Sequence, residues 1–146
     1  MPVRVFSLSD QISFAKFSGD YNPLHVDKIY SRRSPFGKPV VHGINLLLWS
    51  LDCFLEKGID QVVIKSINAF FRKVIVIGEI VKYLENPICD NRVKINIESN
   101  DTLAASIEFE WTKSNWNESF PLQDRNPEKK QPEILGENEI LKKMVH

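Results

Sequence analysis

The run Ile44–Leu55, INLLLWSLDCFL, constrains this chain more than any other stretch. Its apolar residues fall on nearly every face of a helix, and a helix apolar all round has to be wrapped by other elements. Asn45, Ser50 and Asp52 interrupt the run, and a bilayer span needs about 20 apolar residues. The wrapping therefore has to come from protein. Glu56 and Lys57 give the helix a polar end, and Gly58 suits its C-terminus.

The material for wrapping lies mostly downstream. Val93, Ile95 and Ile97 alternate with polar residues, and so do Leu103, Ile107, Phe109 and Trp111. Period-two alternation predicts an antiparallel sheet with one face buried. Ser99–Thr102 suits the hairpin between these two strands. Val63, Ile67, Ala69 and Phe71 are expected on one face of another strand, with Ile64 and Phe70 on the other. Val3–Phe6 and Ile80–Leu84 are further short strands, and Asn86-Pro87 and Asp90-Asn91 bracket a turn. Between about residue 8 and residue 60 no strand is expected. The sheet's inner face must then be covered by the one apolar helix, of about Ile44–Lys57, with Leu47, Leu51 and Phe54 buried. The class is α+β.

Upstream, Ser9 is the expected N-cap of a helix reaching about Phe17, on the spacing of Ile12, Phe14 and Ala15, and Gly19 suits its end. Val26–Tyr30 reads as one or two helical turns and Ser31–Pro39 as an irregular arm. A chain of 146 residues fits one domain, taken as 1–113. Residues 114–146 read as a polar, proline-containing tail with at most a short helix over Ile140–Val145. Deleting the chain from Asn117 onward is expected to leave the melting temperature little changed. Nineteen basic and nineteen acidic residues balance, which disfavours nucleic acid as the partner. No signal peptide or membrane span is expected. Cys53 and Cys89 read as buried thiols in a reducing, cytoplasmic setting.

The chemistry-bearing residues lie in Ser18–Gly43, SGDYNPLHVDKIYSRRSPFGKPVVHG. Pro23 stiffens a loop between an acid, Asp20, and a base, His25. A carboxylate and an imidazole five residues apart in a turn can both reach one water. His42-Gly43 opens the apolar helix, where a free N–H and the positive end of the helix dipole can hold an oxyanion. Asn22 is expected to fasten the loop by bonding to backbone. Asp20, His25, Asp27 and His42 form no zinc-like spacing, so no metal and no cofactor are expected. Arg32, Arg33 and Lys38 are either solvated charges or phosphate contacts.

FAKFSGDYNPLHVDKIYS followed by FGKPVVHGINLLL resembles the signature of the MaoC-like dehydratases, the R-specific enoyl-CoA hydratases. The likeness is close over Phe14–Leu48 and looser through Phe71-Arg72-Lys73 and Gly78-Glu79. It implies a single hot-dog fold, a curved antiparallel sheet around a long central helix. It implies hydration of trans-2-enoyl thioesters, or dehydration of R-3-hydroxyacyl thioesters, carried by coenzyme A or acyl carrier protein. Asp20 and His25 would be catalytic, Gly43 would hold the oxyanion, and Asn22 and His42 would line the substrate site. A homodimer would be the assembly. Alternatives are a hot-dog thioesterase and a non-catalytic acyl-binding module. The family often carries prolines where this chain has Val74–Ile77.

Overall fold

The computed structural model describes residues 1–58 and 61–114; the expected tail and its helix lie outside the described residues. The elements run β1 (Val3–Val5), α1 (Leu8–Ser18), α2 (Pro23–Val26), α3 (Lys28–Arg32), α4 (Gly43–Leu55), β2 (Val62–Phe71), β3 (Ile80–Cys89), β4 (Arg92–Ser99) and β5 (Thr102–Lys113). The five strands form one antiparallel sheet in the order β1-β3-β4-β5-β2.

The core forms where α4 meets the sheet's inner face. Leu46, Trp49, Cys53 and Phe54 of α4 pack against Ile95, Ile97, Ile107 and Phe109. Phe54 rests on Phe109 and Trp111, with ring centroids 6.0 and 4.8 Å away. Phe54 is buried as expected, but Leu47 and Leu51 are only partly buried. One sheet covers one side of a helix, so α4 keeps a second apolar face, from Ile44 to Leu55, that no described residue fully covers.

Local chemistry accounts for the remaining departures. Ser7, not Ser9, caps α1, because Asp10 at the third helical position returns a bond to the Ser7 backbone N–H and completes a capping box. The face that α1 buries is Gln11, Phe14 and Ala15, and Phe17 is exposed. A bulge between Ile64 and Ser66 puts Ile64, opposite Trp111, on the same face as Ile67, opposite Phe109, and turns Val63 outward. One inserted residue flips every side chain beyond it. Strand β3 runs through Pro87, because β1 flanks it only at Ile80–Lys82 and the missing N–H leaves no ladder bond unmade on that open side. Cys89, at the end of that strand, is exposed rather than buried. Asn100 and Asp101, at φ 52 and 54, close the β4–β5 hairpin.

Candidate active site

Gly19, at φ 78, ends α1 by donating its N–H to the Ala15 carbonyl at 2.8 Å. The chain then turns at once, and short bonds fix the turn. Asp20 Oδ1 accepts from the Asn22 N–H at 3.1 Å, and Asn22 Oδ1 accepts from the Leu24 N–H at 3.0 Å. With Asn22 as its cap and Pro23 in its first turn, α2 begins earlier than expected, so His25 stands on a helical turn rather than in a loop. Asp27 Oδ1 caps α3 by accepting from Ile29 and Tyr30, which extends the helical turns to Arg32.

This arrangement brings Asp20, His25 and His42 together. Asp20 Oδ2 lies 3.9 Å from Nε2 of both histidines. The two imidazoles stack with centroids 4.0 Å apart, and His42 also packs on Phe14 at 4.7 Å. The Asp20 side chain is 50% exposed, His25 17% and His42 2%. The acid and one imidazole therefore face solvent while the second imidazole backs them.

Hydrogen bonds decide where the protons sit. His25 Nδ1 is 2.6 Å from the Val40 carbonyl oxygen, and a carbonyl only accepts, so Nδ1 carries a proton; in the neutral imidazole Nε2 then presents its lone pair toward Asp20. His42 Nε2 is 3.2 Å from the Asp20 carbonyl oxygen and so donates there, which leaves its buried Nδ1 without a partner. Burial and the neighbouring His25 hold the His42 pKa below its usual 6.5, against the opposing pull of Asp20. His42 is thus a neutral, proton-donating support for the Asp20 backbone.

Ligand atoms of Asp20, His25 and His42 all lie within 4.8 Å of one another. As they stand, however, His42 offers its proton rather than a lone pair to that space. Only Asp20 and His25 Nε2 are ready donors to a cation, one fewer than a catalytic zinc centre takes from protein. Asp27 is occupied by its cap.

Gly43 is the first residue of α4, with His42 as its cap but making no side-chain capping bond. A first-turn N–H has no carbonyl to reach within the helix. A Cβ on Gly43 would come within 3.2 Å of the Phe71 ring, so close packing by itself favours glycine here. Arg32 and Lys38 line a cleft of about 640 Å³ together with Lys28, between β1, α3 and the turn at Gly78. Arg33 points into a separate one beside Tyr30 and Phe36.

The residue that the sequence reading missed is Gln11. Its Nε2 donates to the carbonyls of His25 at 3.1 Å and Val40 at 2.6 Å, and the side chain is fully buried. A glutamine at the i position of an i, i+3, i+4 stripe with Phe14 and Ala15 was the available signal.

A family model described as MaoC like domain matches residues 2–108. The chain is 37% identical over 62 residues to Protein MaoC of Klebsiella aerogenes, covering 42% of this chain and 18% of that protein. It is 39% identical over 41 residues to the (R)-specific enoyl-CoA hydratase of Aeromonas caviae, covering 28% of this chain and 31% of that protein. These alignments span less than a third of either relative's length. The solved (R)-hydratase from A. caviae involved in PHA biosynthesis superposes with a TM-score of 0.64 at 23% identity, covering 77% of this chain and 92% of that one. That likeness is one of fold, the hot-dog arrangement of a curved antiparallel sheet around a central helix.

Proposed function

The chain belongs to the MaoC-like domain family, and from that premise we propose that it hydrates trans-2-enoyl thioesters and dehydrates R-3-hydroxyacyl thioesters. The observation that carries the reading is the pairing of the Asp20 carboxylate with His25 Nε2, the ring nitrogen that the Nδ1 bond to Val40 leaves free, 3.9 Å apart at a solvent-reached surface. One water can bond to both atoms at that separation. At the start neither facing atom carries a proton. One member takes a proton from the water as its oxygen bonds to the β-carbon. Electrons move onto the thioester oxygen, and the enolate then takes that same proton at the α-carbon, handed on through the other member. The site ends as it began. The Gly43 N–H, at the positive end of α4, stabilises the enolate oxygen. Asn22 holds the loop through the Leu24 N–H, and His42 backs both catalytic groups.

The decisive assay follows enoyl absorbance and free thiol together, on thioesters of coenzyme A and of acyl carrier protein. Loss of absorbance without thiol release is expected. Thiol release identifies a thioesterase instead, and inactivity on every substrate leaves an acyl-binding module.

A homodimer is part of the proposal. Strand β2 is a sheet edge whose Ile67 and Phe71, on the face toward α4, are exposed, and Ile44 at the head of α4 is 57% exposed. Unpaired edges invite pairing, and a second copy would cover this apolar strip. Light scattering at micromolar concentration should give twice the chain mass; a monomer there removes this part. Unpaired Cys53 and Cys89 suit a reducing, cytoplasmic compartment, and among the described residues no helix is long and apolar enough to cross a membrane.

A further inference from the structure

We propose that Gln11 is a positioning residue that sets the tautomer and orientation of His25 by clamping the Val40 carbonyl; the catalytic consequence rests on the hydratase reading, the tautomer does not. The Val40 carbonyl accepts twice, from His25 Nδ1 at 2.6 Å and from Gln11 Nε2 at 2.6 Å. The same Gln11 amide nitrogen donates to the carbonyl of His25 itself at 3.1 Å. One buried side chain thus ties the backbone of the histidine to the acceptor that its ring uses.

The Val40 peptide is held from its other sides as well. Its N–H donates to Leu24 at 3.0 Å. Its neighbours pair with the segment after β2, Val41 N–H donating to Ile75 at 2.8 Å and Ile77 N–H donating to Pro39 at 3.0 Å. These bonds fix the peptide's position, and the bond from Gln11 fixes the direction of its lone pairs. Without a donor beside His25, the carbonyl is free to tilt or to take a water.

The amide's orientation follows from its surroundings. Turned over, Gln11 would set Oε1 against two carbonyl oxygens, an arrangement with no proton in it. In the orientation found, Oε1 is buried with no partner. A buried amide oxygen without a donor is destabilising, and it offsets part of what the two donated bonds contribute to the fold. The side chain's return is the pair of donated bonds at His25. His25 needs that return because an imidazole has two neutral tautomers and only the Nδ1–H form turns a lone pair on Nε2 toward Asp20. A histidine in the wrong tautomer is no base at that atom, whatever its position.

The test replaces Gln11 with methionine, which keeps length and removes both donors, and with leucine as a second apolar variant. Long-range ¹H–¹⁵N spectra of the full chain labelled at histidine read the tautomer of His25 directly and need no activity. The wild type should show the Nδ1–H form, and both variants should lose it to the Nε2–H form or a mixture while still melting cooperatively. In the enoyl hydration assay kcat should fall about 10- to 100-fold, by analogy with the loss seen when a partner that orients a metal-ligating histidine is removed, with KM within about twofold. An Nε2–H tautomer in the wild type overturns the proposal, even if neither variant folds. So does an unchanged Nδ1–H tautomer in either variant that folds. A wild type with the expected tautomer and tautomer loss in the variants, but no hydratase activity at all, upholds the role of Gln11 and overturns the hydratase reading alone.

Discussion

Replacing Asp20 with asparagine separates chemistry from folding at this site. Asparagine keeps a carbonyl oxygen for the Asn22 N–H that Asp20 Oδ1 now accepts at 3.1 Å. Its amide takes the place of Oδ2, beside the His25 Nε2 lone pair, to which it can donate, and beside the His42 Nε2–H, which it opposes. Asp20 is half exposed, so its charge interactions with the two imidazoles are screened and contribute less than about 1 kcal/mol to stability. The melting temperature should therefore move by no more than a few degrees. The reaction loses one of two groups that exchange protons with substrate, an effect of about 10²–10⁴ in rate, or roughly 3–5 kcal/mol of barrier at 1.36 kcal/mol per tenfold. His25→Ala should cost a similar factor, and the double variant little more than either single change, because the two groups act on one water as a unit. The measurement is the initial rate of enoyl absorbance loss over several chain lengths, with circular dichroism melting as the control. Near-normal hydration by Asp20→Asn refutes the assignment. So does a rate loss that comes with a collapse of the melting transition, since Asp20 would then be holding the turn together.

Phe54→Ala should destabilise the domain by about 3–5 kcal/mol in denaturant unfolding, because its ring is 2% exposed and packed on Phe109 and Trp111; Leu55→Ala, at the exposed end of the same helix, should cost under about 1 kcal/mol in a monomer. His42 has its folded pKa held below 6.5, so as pH falls below 6.5 the unfolded chain takes a proton that the folded one refuses, and stability falls with it. The stability gap between wild type and His42→Gln should accordingly narrow from about pH 7.5 to about pH 5, and a gap that stays constant contradicts the buried neutral imidazole. Gly43→Ala should lower hydration more than stability, since its Cβ meets only the half-exposed ring of Phe71; Phe71→Ala in the same chain should restore part of the rate if crowding by the displaced ring is the cause.

Much of the fold was legible because its elements differ in period. The all-round apolar run from Ile44 and the alternation from Arg92 to Trp111 specify a core helix and a sheet packed on it, and both stand in the structure, with α4 covered on one side only and Ala104, expected to face out, buried. Less legible were features decided by a single residue or by a neighbour distant in sequence. The bulge at Ile64/Ser66 leaves no mark in composition, yet it decides which of Val63 and Ile64 is inward. Strand β3 continues through Pro87 only because β1 stops short, which no local pattern records. The half-covered state of Leu47 and Leu51 reflects the reach of one five-stranded sheet rather than their hydrophobicity.

The candidate site divides along the same line. Asp20, Asn22, His25, His42 and Gly43 could be singled out because turn residues and a helix start crowd them into 24 positions. What holds His25 in place among them is a backbone group, the Val40 carbonyl, and a backbone group has no letter of its own. Its placement depends on the segment Val74–Ile77, where the family often has prolines. Ile77 N–H donates to Pro39, Val41 donates to Ile75, and Val40 bridges Val76. A proline at 77 has no N–H and would delete the first of these bonds. The hydrophobic run that looked like a departure from the family pattern is therefore the strand-like partner that holds the arm in register. Through Val40 it fixes the bond at His25 Nδ1. Ile77→Pro should thus loosen His25 from a distance, lowering hydration while leaving Asp20, His25 and Gly43 themselves unaltered. If Ile77→Pro leaves both the rate and the His25 tautomer as they are, the arm is held by side-chain packing of Val41 and Ile75 and not by this pair of backbone bonds.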